Sequence, residues 1–262
     1  MGDLFRRRSE KDHWDRFWSE ADSVEEVYSN DGRVVEHLSR VCDVSGKRIL
    51  EVGAGTGRDS IVLSRMGATV VSLDYSIESL NLVKKGSGEA DEVLLCCGNA
   101  FSLPFADETF DVVFHQGLLE HFTNPDDLLA ENVRVLKPGG LLLVDVPQRF
   151  HYYTLMKHMM IFFNKWFAGW ETEFSVGELE KILRRHSLDI VLSYGEWFNP
   201  PIWYRMLRRG LIRAGIKLPM YPGIFDILGK MMGTLRNWAL RRRFFLYTTV
   251  IVGTIAKKRE EI

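Results

Sequence analysis

Hydrophobic positions follow an alternating rhythm over residues 47–146. Short β-branched or apolar runs (KRILEV, ATVVSL, EVLLCC, FDVVFH and LLLVDV) are separated by segments of helical or loop character. Strands that take turns with helices form βαβ units, which build a parallel sheet with helices on both faces. SLDIVLSY and LYTTVIVGTIAKK predict a sixth and a seventh strand. The pattern therefore predicts a doubly wound α/β fold, elaborated by helical cap insertions.

Breaks in this rhythm predict how the chain is divided. We expect an N-terminal helical cap (1–46), a cofactor-binding core (47–149), an aromatic helical insertion (150–174), a core helix and strand (175–196), a basic amphipathic insertion (197–245) and a final core strand with a tail (246–262). Two helix starts are well marked. NPDD at 124–127 predicts an N-cap followed by a first-turn proline, with the helix ending at the KPGG of 137–140. Ser175 and Glu178 predict a capping box for a helix that ends near His186.

Composition narrows the class of protein. The chain has 262 residues, 46% of them hydrophobic, and a net charge of −1, which allows a sizeable core. Its three cysteines have neither disulfide nor zinc-ligand spacing, so no metal is expected. We find neither a secretory signal nor an apolar run of about 18 residues, and we therefore predict a cytoplasmic protein.

The stretch ILEVGAGTGRDS carries the first candidate chemistry. A dinucleotide-binding G-x-G-x-x-G turn would need its third glycine where Arg58 stands. Glu51 ends the preceding strand, and its carboxylate would repel a pyrophosphate but attract a ligand that carries an ammonium and a sulfonium. Asp74 ends the second strand about twenty residues on, where an acid can accept hydrogen bonds from ribose hydroxyls.

Five segments resemble, in order, the motifs of class I S-adenosylmethionine (SAM)-dependent methyltransferases: EVGAGTG, LDYS, GNAFSLPFADETFDVVF, LLEHF and VLKPGGLLLVDVP. The likeness is to the methyltransferase type 11 group, which contains quinone and sterol methyltransferases, and it covers residues 47–147. It implies a Rossmann-like, mostly parallel sheet of seven strands whose last strand inserts antiparallel, and SAM as the cofactor.

The resemblance also assigns expected roles to nine positions. They are Glu51, Gly53 and Gly55 at the methionine part, Asp74 at the ribose, Tyr75, Asn99 and Ala100 at the adenine, and His115 and Gln116 beside the methionine carboxylate and the reacting methyl. The family usually has Asp where Asn99 stands. An Asn side-chain oxygen can still accept the hydrogen bond of the adenine amino group.

A catalytic base is needed only if the attacking atom of the acceptor carries a proton that must leave. Histidine suits that task near neutral pH. The candidates are His115, His121 and His151, with His158 as a further histidine in the aromatic insertion. For each of them a packing or hydrogen-bonding role remains open.

Residues 197–247 contain ten Lys or Arg and one acid, Asp226. A helix from Pro201 would place four arginines along one stripe (Arg205, Arg208, Arg209 and Arg213), and a second helix from about Ile224 would end in the RRR of 241–243. Basic amphipathic helices rich in aromatic residues suit an anionic membrane surface. A cap over the active site, a dimer contact and a site for an anionic substrate remain open. No recognition motif supports nucleic acid, and the NPPI of 199–202 follows the wrong strand for methylation of base amino groups.

Together these features predict a SAM-dependent methyltransferase that acts on a small-molecule or lipid-like acceptor, with the aromatic insertion forming the acceptor pocket. Two alternatives belong to other classes. One is a non-catalytic SAM-binding protein that regulates or supports a partner. The other is a nicotinamide-dependent oxidoreductase, which the spacing of the glycines disfavours.

Overall fold

A single mixed sheet organises the chain in the computed structural model, which describes residues 11–19, 32–88, 91–166, 168–169, 171–197, 201–219, 222–223 and 242–260. The strands are β1 (Arg48–Val52), β2 (Thr69–Asp74), β3 (Val93–Cys97), β4 (Phe110–Gln116), β5 (Leu136–Pro147), β6 (Leu188–Glu196) and β7 (Ile251–Lys258). Their order is β3-β2-β1-β4-β5-β7-β6. β1 to β5 pair in parallel, and β7 pairs antiparallel with both β5 and β6. The predicted doubly wound, Rossmann-like sheet with an antiparallel last strand is confirmed.

Helices cover both faces of this sheet. Those within the described ranges are α1 (Lys11–Ser19), α2 (Arg33–Leu38), α3 (Arg58–Arg65), α4 (Ile77–Gly86), α5 (Asp126–Val135), α6 (Tyr152–Phe162), α7 (Val176–Arg185) and α8 (Ile202–Arg213). Two short 3-10 turns span Leu119–His121 and Arg243–Thr248. Successive residues of a strand point to opposite faces of the sheet and pack in different apolar clusters: Leu50 belongs to one cluster and its neighbour Ile49 to the other.

The capping box at the start of α7 is confirmed. Ser175 Oγ accepts from the amide of Glu178 at 3.3 Å, and Glu178 Oε2 accepts from the amide of Ser175 at 2.8 Å. The expected end of the preceding helix is wrong. α5 ends at Val135 and β5 begins at Leu136, because Leu136 is buried and pairs with Phe110 of β4. The KPGG of 137–140 therefore lies within the strand.

The basic insertion differs from the prediction in which side chains of α8 are exposed. Of the predicted arginine stripe of α8, Arg205 and Arg208 are described and are half-buried; Arg208 donates to the carbonyl of Leu218, while Trp203 and Leu207 face solvent. The side chains of Arg209 and Arg213, and the second helix expected from Ile224, lie outside the described residues. No helix among the described residues is long and apolar enough to cross a bilayer.

Candidate functional site

A cavity of about 150 Å³ opens at the carboxyl edge of the sheet. Its walls come from the glycine turn after β1, the end of β2, the loop after β3, the end of β4 and the 3-10 turn that follows it, with α1 on the outer side. Ligands of open α/β sheets bind at this edge, where the strand order reverses. In this sheet the reversal falls between β1 and β4.

The glycine turn after β1 keeps the floor of the cavity free of side chains. Gly53, Gly55 and Gly57 all have positive φ, between 55° and 72°. A Cβ on Gly57 would also lie 2.7 Å from a methyl carbon of Val83 in α4. The amides of Gly53 and Ala54 donate to the Leu73 carbonyl at 2.8 and 3.0 Å, which holds the turn against β2. Glycine is thus required both by the backbone conformation and by the close approach of α4.

Asp74 closes the turn from the end of β2. Its carboxylate accepts from the amide of Gly55 at 3.1 Å, from the amide of Ser76 at 2.9 Å and from Ser79 Oγ at 2.9 Å. The residue is buried and still lines the cavity. The backbone of Tyr75 also interacts with this carboxylate.

Three buried carboxyl groups, those of Glu51, Asp59 and Asp74, lie around the glycine turn. Burial raises the pKa of each, and the charges of Asp59 and Asp74 raise the pKa of Glu51 further. Ser60 Oγ donates to Glu51 and opposes this rise. A cation in the cavity would stabilise the ionised carboxylates, whereas a pyrophosphate would meet like charge.

Gln116 is held in one orientation at the cavity wall. Its Oε1 accepts from Arg33 Nη2 at 3.1 Å, and its Nε2 donates to Asp59 Oδ2 at 2.9 Å. Arg33 is buried and also donates to Asp145 at the end of β5. These bonds connect α2 to the site, a contribution that the sequence did not reveal.

The outer wall of the cavity is aromatic and comes from α1. Trp14 and Trp18 line the cavity, and their rings stack at 6.1 Å between centroids. The Trp14 ring also meets the ring of His121 edge-on at 5.1 Å. Sequence reasoning placed a helical cap here but missed these residues. Their i, i+4 spacing in HWDRFW was the available signal.

Comparison with known proteins identifies the part of the chain that forms this site. A family profile described as a methyltransferase domain matches residues 50–144, from β1 into β5. Residues 50–144 are therefore similar to a methyltransferase domain.

Curated relatives are similar to part of this chain. The demethylmenaquinone methyltransferase of Renibacterium salmoninarum is 42% identical over 101 residues, which are 38% of this chain and 41% of the relative. The chain thus spans less than half the length of that curated relative.

Solved structures extend the likeness of fold to nearly the whole chain. A phosphoethanolamine N-methyltransferase 2 of Haemonchus contortus superposes with a TM-score of 0.65 at 18% identity, over 95% of this chain and 60% of the other. The [4+2]-cyclase SpnF gives a TM-score of 0.62 at 20% identity, over 96% of this chain and 95% of SpnF. At these identities the likeness establishes the fold, and SpnF shows that the fold also hosts other chemistry.

Seven of the nine positions assigned to cofactor binding line the cavity: Gly53, Gly55, Asp74, Tyr75, Asn99, Ala100 and Gln116. Asn99 Oδ1 already accepts from the amide of Phe101 at 3.0 Å and keeps a second lone pair. Glu51 lies behind the turn, where its charge can act on a ligand without forming the wall. This set fits SAM, because an ammonium and a sulfonium suit the three carboxyl groups.

His115 lies away from the cavity. Its side chain is completely buried, and burial lowers the pKa of its imidazole to about 3, so the ring is neutral at physiological pH. Neither ring nitrogen has a hydrogen-bond partner among the described residues. Gln116, the next residue of β4, faces the cavity, as the alternation of a strand requires. The expected position of His115 beside the reacting methyl is not what the structure shows for its side chain.

His151 and His158 also lie outside the cavity. His151 is the N-cap of α6, and its Nδ1 accepts from the amide of Tyr153 at 3.1 Å. His158 Nε2 lies 2.9 Å from Glu173 Oε2. Of the four histidine candidates, His121 is the one that lines the cavity.

His121 also faces a buried charged cluster. Lys157 Nζ lies 2.6 Å from Glu171 Oε2 and 2.8 Å from Glu173 Oε1, and all three side chains are nearly inaccessible. Burial alone would raise the pKa of Glu171, but the charges of Lys157 and His121 lower it. The aromatic insertion thereby places a carboxylate in electrostatic contact with the cavity histidine.

A second, wider cleft of about 540 Å³ lies further along the carboxyl edge, beyond β5. Phe150, Tyr152, Trp197 and Tyr247 give it aromatic walls, and His151 also lines it. The Phe150 and Tyr247 rings lie 5.9 Å apart. Its residues follow β5 and β6 or precede β7, whose ends meet where Pro147 and Glu196 both pair with Ile251.

Proposed function

We propose that the protein transfers the methyl group of SAM to a small-molecule or lipid-like acceptor at the surface of an anionic membrane. The observation that carries the proposal is the cluster of buried carboxyl groups around the glycine turn. Its charge suits a ligand with an ammonium and a sulfonium, and the family of the core has that cofactor.

The cofactor would be held by the walls described above. Asp74 lines the cavity at the end of β2 and would accept from a ribose hydroxyl, and Tyr75 with Asn99 and Ala100 would flank the adenine. Glu51 would act on the ammonium through its charge. Gln116, fixed by Arg33 and Asp59, would offer its side chain at the methionine end.

When bound, SAM supplies a methyl group already activated by the sulfonium. The acceptor atom forms a bond to the methyl carbon while the carbon–sulfur bond breaks, and the electron pair of that bond stays on sulfur. The protein therefore has to align the acceptor and exclude water. Trp14 and Trp18 suit the second task, because their rings cover the outer side of the cavity.

His121 is the proposed base for an acceptor whose attacking atom carries a proton. It lines the cavity, and Glu171 can stabilise the imidazolium that forms when the histidine takes the proton. His115 and His151 do not reach this cavity in the structure.

The aromatic cleft beyond β5 is the proposed entry for the acceptor. Its walls suit an apolar or aromatic molecule. The relative of Renibacterium salmoninarum is named for a quinone acceptor, demethylmenaquinone, which supports an acceptor of lipid-like character.

The basic segment 197–247 supports contact with an anionic membrane. Each of its basic residues near such a surface can contribute about 1 kcal/mol. This segment and the aromatic cleft adjoin along the chain, so an acceptor dissolved in the membrane would meet the cleft directly.

The test is incubation with SAM that carries a labelled methyl group, together with cell extract separated into lipid and aqueous fractions. We expect label in a product of the lipid fraction. Calorimetric titration should show binding of SAM and none of NADH. Binding of NADH without SAM would contradict the cofactor, and label confined to aqueous macromolecules would contradict the acceptor class.

A further inference from the structure

Helix α6 is packed with its polar side inward. Thr154 and Lys157, one turn apart, are buried. The opposite side carries apolar residues at helical spacing that remain in solvent. The exposed fractions are 66% for Tyr152, 69% for Leu155, 54% for Met159 and 69% for Phe162. A helix of a protein that only meets water shows the reverse arrangement.

Specific bonds hold α6 in this orientation. Lys157 is bound to Glu171 and Glu173, and Thr154 Oγ1 donates to the carbonyl of Gln148 at 2.6 Å. Turning the helix to bury the apolar side would break these contacts and leave two buried carboxylates without their cation. The exposed stripe is therefore fixed by the fold.

Further exposed apolar residues lie on the connections that follow β5 and β6 and precede β7 at the carboxyl edge of the sheet. Phe150 before α6, Trp203 and Leu207 on α8, and Phe244 before β7 are each at least half exposed. They belong to three connections that start or end where Pro147, Glu196 and Ile251 meet. Monomeric proteins rarely expose contiguous apolar patches of this kind unless the patch binds a partner or a membrane.

We infer that α6 inserts its apolar stripe, formed by Tyr152, Leu155, Met159 and Phe162, into the surface of an anionic bilayer. The inference rests on the membrane contact in the proposed function and assigns it to an element outside the basic segment. Charge favours an anionic bilayer over a second copy of the chain as the partner of this surface. Two copies facing each other through this surface would bring together two copies of residues 201–219, which carry Trp203 and Leu207 and contain five Lys or Arg and no acid, whereas anionic lipid attracts them.

Aromatic residues in the patch fit the same occupant. Tyrosine and tryptophan favour the boundary between lipid headgroups and acyl chains, and phenylalanine and leucine favour the apolar side of an interfacial helix. The basic residues then supply a part of the binding that salt screens, and α6 supplies a part that salt does not remove.

The experiment is co-sedimentation with vesicles of equal parts phosphatidylglycerol and phosphatidylcholine, at low salt and at high salt. The variant is Leu155→Gln, Met159→Gln, Phe162→Gln. A matched control changes three other exposed apolar residues, Met66→Gln, Leu94→Gln and Val191→Gln, which lie at the C-terminal end of α3, on β3 and on β6. Phe162→Gln alone is the milder variant if the triple variant does not fold, as judged by its SAM affinity and melting temperature.

We expect the wild type and the control to retain bound protein at high salt. The triple variant should bind roughly tenfold more weakly at low salt and lose its binding at high salt. Phe162→Gln should lose part of the salt-resistant fraction. SAM affinity should be unchanged in every variant, because these residues lie outside the cavity.

Three outcomes would overturn the inference. The first is equal salt-resistant binding by wild type and both α6 variants, which would leave the membrane contact of the basic segment intact. The second is absence of wild-type binding at low salt, which would also remove the membrane from the proposed function but not the methyl transfer. The third is a dimer in sedimentation velocity that the triple variant converts to monomers, because the stripe would then face a second copy.

Discussion

At the scale of single residues, the buried carboxylate of Glu51 destabilises the folded protein without ligand but favours binding of the cationic cofactor. Burial raises its pKa well above the ordinary value, so the folded protein holds a proton there more tightly than the unfolded chain does. Its contribution to stability is therefore most favourable at low pH and is lost as pH rises through the folded pKa. Binding of the cationic cofactor would have the opposite effect, because it favours the ionised form of Glu51.

Glu51→Gln should consequently stabilise the protein without ligand at neutral pH and weaken SAM binding. We expect the melting temperature to rise by roughly 2–4 °C, the shift for about 1 kcal/mol in a chain of this size. SAM affinity should fall by about tenfold, since the attraction for the ammonium is removed. Thermal melts and calorimetry measure both, with exposed Glu36→Gln as the control. Lower stability together with unchanged affinity would remove Glu51 from the site.

SAM binding should also depend on pH in a defined direction. The raised pKa values of Glu51 and Asp74 mean that both carboxyls take up protons as pH falls, and the neutral forms attract a cation less. Affinity should therefore decrease from pH 8 to pH 5, and binding should release protons. Titrations in two buffers of different ionisation enthalpy detect the release. Proton uptake on binding would have the wrong sign for this site.

His121 should account for any pH-dependent step of the chemistry. If the acceptor is a hydroxyl, His121→Gln should lower kcat by roughly 100-fold or more and remove the rise of activity with pH near neutrality. His151→Asn is the matched control, because asparagine can still cap α6. Retention of the full pH profile by His121→Gln would show that the base lies elsewhere or that alignment alone suffices.

At the scale of elements, Lys157 sets the orientation of α6. Lys157→Met should destabilise the protein by about 3–5 kcal/mol at neutral pH, because Glu171 and Glu173 would be left buried without their cation. Protonation of those carboxyls relieves the cost, so the difference from wild type should shrink as pH falls toward 5. Urea melts at both pH values test this.

A control for that substitution is Arg259→Met, which breaks an exposed ion pair with Asp189 and should leave the free energy of unfolding nearly unchanged. An equally small effect of Lys157→Met would mean that α6 is not held by its buried pair.

Local patterns made the core elements predictable. The capping box of Ser175 and Glu178 and the strand alternations depend on neighbours in sequence, and the structure confirms them. The start of β5 was not predictable in the same way, because Leu136 is drawn into the sheet by Phe110, a residue distant along the chain.

In the candidate site, too, some features could be predicted from local sequence and others depend on residues distant along the chain. The motif positions at the strand ends line the cavity, because the order of strands brings those ends together. Trp14 and Arg33 reach it through tertiary packing of helices that precede the core motifs. The i, i+4 spacing of Trp14 and Trp18 marks one face of a helix, but that pattern does not show which part of the sheet the face meets. The inward lysine of α6 likewise depends on Glu171 and Glu173, which follow the helix.

At the scale of the whole molecule, the connection between β6 and β7 carries both the basic segment and exposed apolar residues such as Trp203 and Phe244. Arg243 is not suitable for testing the basic segment, because it is bound to the buried carboxylate of Glu180. Replacing it would disturb folding as well as surface charge.

The variant Arg236→Ser, Arg241→Ser, Arg242→Ser should therefore weaken binding to anionic vesicles about tenfold or more at low salt, and leave SAM affinity unchanged. Vesicles of phosphatidylcholine alone should bind the wild type poorly. Equal binding by variant and wild type at low salt would show that the basic segment does not carry the membrane contact.

The most direct test of the central claim is the formation of S-adenosylhomocysteine by the wild-type protein, measured with SAM and the lipid fraction of a cell extract on anionic vesicles. We expect it to form in amounts equal to a methylated lipid-fraction product, to require that fraction, and to fall sharply in Asp74→Asn and Glu51→Gln. A protein that binds SAM tightly but forms no S-adenosylhomocysteine with any fraction would contradict the account and would be a SAM-binding protein without methyl transfer.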